Sequence, residues 1–160
     1  MRRVLPWVLL AATVLWCGFI WHFSLASGTE SAQTSGGVVE ALNELLESVG
    51  SEAQFEHTTV RKMAHFCEFA VLGVLAALTL VLFRFPHVVP WALWAVFAVG
   101  CVDELLQLLS PDRGPSFGDV LLDTAGGLAG IVFVCGALLL FYALCARKER
   151  KKSEINEKTS

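Results

Sequence analysis

The sequence has no CxxC pair. Its five cysteines, Cys17, Cys67, Cys101, Cys135 and Cys145, are odd in number, widely spaced and each set in an apolar run. That excludes a disulfide framework or a zinc knuckle and leaves them as small apolar fillers. There is no basic excess either. The formal net charge is -3, which argues against a nucleic-acid partner. Charged residues make up only 17% of the chain, and no internal repeat is visible. From Ser24 to Thr58 there is no lysine or arginine at all.

What is abundant is apolar sequence. Hydrophobic residues make up 55% of the chain and the mean hydropathy is +0.61. Four long runs carry it, at 4–23, 59–83, 89–109 and 117–145. Crossing a bilayer takes ~20 residues of helix, so each run is long enough. The expected fold is an all-α, four-helix transmembrane bundle over residues 1–146. The first run, preceded by Arg2 and Arg3, also resembles a signal peptide, with Ser24-Leu25-Ala26 as a cleavage site. Its apolar stretch exceeds the usual ~7–15 residues. It also holds Trp7, Trp16 and Trp21, so it reads as a retained helix.

The loop 24–58 begins with Ser, Gly and Thr and reads as irregular. Then Val38, Val39, Leu42, Leu45, Leu46 and Val49 recur at helical spacing between Glu40, Glu44 and Glu47. That predicts a short amphipathic helix. Interfacial helices are usually basic and this one is acidic, so packing over the protein is its expected role. The charged tail 147–160 reads as disordered. Trp91 and Trp94 fit an aromatic belt. Gly126 and Gly130, four apart, suit a close helix contact.

Charge sets the expected topology. Arg2 and Arg3, then Arg84, then Arg147, Lys148, Arg150, Lys151 and Lys152 fall on one side of four crossings, and the acidic loop falls on the other. The positive-inside rule places both termini in the cytoplasm of a multi-pass plasma-membrane protein.

On that topology the ionisable residues gather at the outer ends of three helices. Arg61, Lys62, His65 and Glu68 lie in the second run, with Arg61, His65 and Glu68 on one face. Asp103, Glu104 and Gln107 lie in the third run. Arg113 is in the following link, and Asp119 and Asp123 open the fourth. The deepest are roughly 10 Å from a helix end at ~1.5 Å per residue. A lone charge at such depth costs several kcal/mol. The economical arrangement is one shared polar pocket with Arg61, Arg113, Lys62 or His65 as counter-charges. Asp119 also suits a plain role at a helix start.

Three readings of that pocket stay open. It binds, and in one version modifies, a polar or charged group from lipid or the aqueous phase. It is an enzyme site, with His65 and a carboxylate (Glu68, Asp103 or Glu104) as acid and base. Or it is a structural ion-pair network. No nucleophile lies beside His65 on its own face, since Cys67 is two positions on. A Glu/His metal motif is present on one helix only, so no metal or cofactor is expected.

Three blocks in order, Arg61-Lys62-Met-Ala-His65-Phe-Cys-Glu68-Phe, Asp103-Glu104-Leu-Leu-Gln107, and Arg113 followed by Gly118-Asp119-Val-Leu-Leu-Asp123-Thr-Ala-Gly126, resemble the VanZ-like family. The likeness covers roughly residues 14–140. It implies a small bacterial membrane protein and, through the founding member, a link to teicoplanin resistance. The partner it suggests is a membrane lipid or lipid-linked envelope precursor. Many members carry histidine where this chain has Leu106, which weakens any mechanism needing two histidines.

Overall fold

The computed structural model describes residues 4–25, 28–48, 54–109 and 114–159. Among them every regular element is α-helix: α1 (Leu5–Ser24), α2 (Gly28–Ser48), α3 (His57–Leu82), α4 (Val88–Gln107) and α5 (Phe117–Thr159). All except α2 are long and apolar enough to cross a membrane. Their outward faces carry Trp7, Leu15, Phe133 and Leu139, each more than 60% exposed. In water such surfaces would drive aggregation, whereas hydrocarbon matches them.

The four predicted spans stand within two residues at most ends, and the differences have local causes. α3 starts at His57 rather than 59, because Glu56 already holds an extended N-cap conformation. α4 ends at Gln107, where Leu108 and Leu109 close a turn onto Leu105 and Leu106. α2 starts at Gly28, ten residues before the predicted amphipathic stretch. The Ser, Thr and Gly residues of 28–37 are poor helix formers, so this turn-by-turn extension runs back from the helix already formed by the amphipathic stretch. The tail read as disordered continues α5 as helix through Thr159. Its Arg, Lys and Glu residues are good helix formers, and an apolar helix already nucleated ahead of them removes the costly first step.

Packing is layered around α3. It lies most extensively against α5, then α1 and α4, and α2 covers its start. The core consists of Ile20 from α1, Phe69, Leu72, Ala76 and Ala77 from α3, Ala92 and Val96 from α4, and Ile131 and Val134 from α5. α1 is tied in at several heights. Trp16 Nε1 donates to the Glu68 carbonyl at 2.9 Å, and Thr13 and Thr79 share a hydroxyl hydrogen bond of 3.1 Å. The Trp7 and Phe83 rings meet edge-on at 5.2 Å. α2 is pinned by Asn43, which donates to the Phe55 carbonyl and accepts from the Phe55 amide at 2.7 Å.

α3 ends in a Schellman turn. Phe85 N–H reaches the Leu80 carbonyl and Arg84 N–H reaches Val81, with Arg84 left-handed at φ 54°. This position normally takes glycine, because a Cβ there costs ~1–2 kcal/mol. Arg84→Gly is therefore expected to stabilise the protein by about 1 kcal/mol, read as a rise of roughly 2–4 °C in the unfolding midpoint in detergent. A fall would contradict the strain.

Candidate functional site

The end of the bundle where α3 begins and α4 stops holds the ionisable residues. Ser116 caps α5 here, its Oγ accepting from the Asp119 N–H at 3.3 Å. Asp119 is therefore not the cap. It instead pairs with Lys62 of α3 at 3.0 Å. Both side chains are partly wet, so the pair is worth under ~1 kcal/mol and serves mainly to align α3 with α5.

Behind that rim lie three deeper carboxylates. Asp103 is fully buried, Asp123 is 2% exposed and Glu104 is 4% exposed. The i, i+4 spacing of Asp103 and Gln107 is used directly: Gln107 Nε2 donates to Asp103 Oδ2 at 3.0 Å. Glu104 Oε2 accepts the Ser116 backbone N–H at 2.6 Å and so fastens the start of α5 to the end of α4. On α3, Glu68 Oε2 stands 3.6 Å from His65 Nδ1, and both side chains are about one-fifth exposed. At ~1.5 Å per residue Glu68 is about 16 Å along α3 from His57.

The groups meet in one narrow cleft that opens at the end of the bundle. Its walls are Arg61, Lys62 and His65 of α3, Glu104 and Gln107 of α4, and Asp119, Leu122 and Asp123 of α5. Glu68 and Asp103 are not on its wall. Glu68 borders His65, and Asp103 sits behind, with one of its oxygens near donor atoms of His65 and Asp123, all three within 4.8 Å of one another. Arg113 and the rest of 110–113 fall outside the described residues, so its predicted role has no structural account.

Two features escaped the sequence. Leu122 supplies the one apolar side chain of the wall, and nothing in its pattern sets it apart from other leucines. The Glu104–Ser116 bond joins residues twelve apart across an irregular link, which helical spacing does not reveal. The convergence of His65, Asp103 and Asp123 was half visible: each lies on a predicted polar face, but the meeting of three faces is a tertiary fact.

Four apolar helices long enough to cross a membrane, with a charged cleft at one end of the bundle, define a multi-pass membrane protein. A sequence model described as VanZ/LLP1 matches residues 9–145, most of the chain, and the protein belongs to this VanZ-like family. Neither the curated proteins nor the solved structures searched gave a match.

Proposed function

We propose that the cleft binds the polar headgroup of a lipid-linked or amphipathic envelope component, from the outer leaflet of a bacterial plasma membrane. The observation that carries this reading is the convergence of charged side chains from α3, α4 and α5 on one open cleft, in a bundle otherwise faced with apolar residues. Such groups are costly at membrane depth and are kept where they meet a ligand, an ion or water. Arg61 and Lys62 line the mouth and suit an anionic group, while the carboxylates and His65 below suit its hydroxyl or amine donors. The basic ends of the chain support a cytoplasmic placement of both termini, and with it an outer placement of the cleft. Through its family this reading extends to altered susceptibility to teicoplanin.

The test is native mass spectrometry of the purified protein, with teicoplanin susceptibility of cells expressing it measured alongside. The wild type should retain a lipid-linked species. His65→Ala and Glu68→Ala, folded by gel filtration and circular dichroism, should lose it along with any susceptibility phenotype. Full retention by both variants would sink the proposal.

A second reading, an enzyme using His65 as acid or base, draws on the 3.6 Å approach of Glu68 to the imidazole. Turnover of lipid-linked substrates by the purified protein is its test.

A further inference from the structure

We propose that His65, Asp103 and Asp123 bind a divalent transition-metal ion, of the zinc or manganese type, at the floor of the cleft. Each offers one donor atom, and the three atoms lie within 4.8 Å of one another. Ligands held at ~2.1 Å from a single ion sit about 3–3.5 Å apart, so small side-chain rotations close the set. One imidazole nitrogen with two carboxylate oxygens suits zinc, manganese or ferrous iron and does not suit soft cuprous copper.

A separate observation points to a cation. Asp103 is fully buried, and its Oδ1 has no hydrogen-bond partner among the described residues. Its other oxygen is fixed by Gln107 Nε2 at 3.0 Å, which holds the carboxylate in orientation. A buried carboxylate oxygen left without a donor is strongly unfavourable, and a metal ion satisfies it. Glu104 Oε1, buried next to it in sequence, is also without a hydrogen-bond partner among the described residues. Glu104 and Asp123 in the cleft, with Glu68 and Asp103 behind it, face Arg61 and an already paired Lys62. A divalent ion favours the ionised form of the carboxylates that bind it and offsets two negative charges.

The surroundings resemble those of bound metals. Glu68 Oε2 stands 3.6 Å from His65 Nδ1, from where a small side-chain rotation makes the carboxylate–imidazole hydrogen bond that orients a ligand histidine. Asp103 lies behind the wall while His65 and Asp123 are part of it, so the remaining coordination positions face the open cleft. A site with three protein ligands and an open side is the arrangement that leaves room for water or a ligand oxygen. The ion site goes beyond the headgroup reading and does not depend on it.

The test uses the full chain in detergent, without added lipid, stripped with chelator and dialysed against Zn²⁺ or Mn²⁺. Bound metal is then counted by mass spectrometry. One ion per chain is expected. Asp103→Asn and His65→Gln should weaken uptake by at least ~100-fold, the upper effect of losing a supporting partner alone. Glu44→Gln, on the exposed face of α2, should leave it unchanged. The visible spectrum of the Co²⁺-loaded wild type should show low-symmetry nitrogen and oxygen coordination, and this readout needs no variant. A wild type that takes up no ion overturns the proposal, whatever lipid it retains. So do folded variants that bind as tightly as the wild type, or a Co²⁺ spectrum identical to that of the hydrated ion.

Discussion

Gly130→Ala is expected to destabilise the bundle by ~3 kcal/mol, at the top of the range for overpacking. A Cβ built at Gly130 runs into the carbonyl oxygen of Ala70, and one at Gly126 runs into the carbonyl oxygen of Phe66. Both obstacles are backbone of α3. No rotamer change relieves them, so α3 and α5 must separate. The same small-residue stripe is what lets the two helices approach so closely. Unfolding in detergent should drop by about 6–12 °C for either variant, by the size scaling of soluble domains. Gly136 lies further along the same helix with nothing within 4 Å of an added Cβ. There the helix propensity of alanine acts alone, and Gly136→Ala should be neutral or stabilising by up to ~1 kcal/mol. The opposite signs separate helix contact from helix propensity. Equal effects at Gly130 and Gly136 would refute the contact.

The contact matters to the cleft. Phe66 follows His65, and Gly126 is three residues from Asp123, so the glycine stripe sets how near α3 brings His65 to α5. Gly126→Ala is therefore expected to weaken ion and headgroup binding more than its loss of stability explains, with no change to any polar residue.

The spans and the polar faces were legible because both rest on local rules. Apolar runs of ~20 residues give the crossings. Spacings of four place Asp103 beside Gln107, and Gly126 beside Gly130, on shared faces. Where the reading failed, the deciding factor was not local periodicity. α2 begins ten residues early, through a stretch dominated by Ser, Thr and Gly, because a helix formed by the amphipathic residues extends backward. α5 outruns its apolar stretch because charged helix formers extend a helix already nucleated. The pairing of Lys62 with Asp119, and the bond from Ser116 to Glu104, depend on how helices are placed side by side. No spacing within one segment encodes that placement.

Asp123→Asn should leave the chelator-treated protein as stable as the wild type or more so, while removing ion and headgroup binding. Asp123 is 2% exposed and shares its surroundings with Asp103, Glu104 and Glu68. Asparagine keeps its shape and cannot ionise beside those carboxylates, so it adds no cost to the empty fold. If the cluster were a structural ion-pair network, the same change would strip a partner from a buried pair and cost ~3–5 kcal/mol. The two readings thus differ in outcome, which a thermal midpoint resolves without knowledge of the ligand. Added cation should then favour the wild type. At a concentration 100 times its dissociation constant, an ion bound only by the folded state adds about 2.7 kcal/mol to the wild type and little to the variant. A wild type no more stable than Asp123→Asn in chelator, and more stable with the ion, is a cleft whose charges serve binding rather than the empty fold. A variant that is less stable in both conditions makes the carboxylates a structural network and ends the functional reading of the cleft.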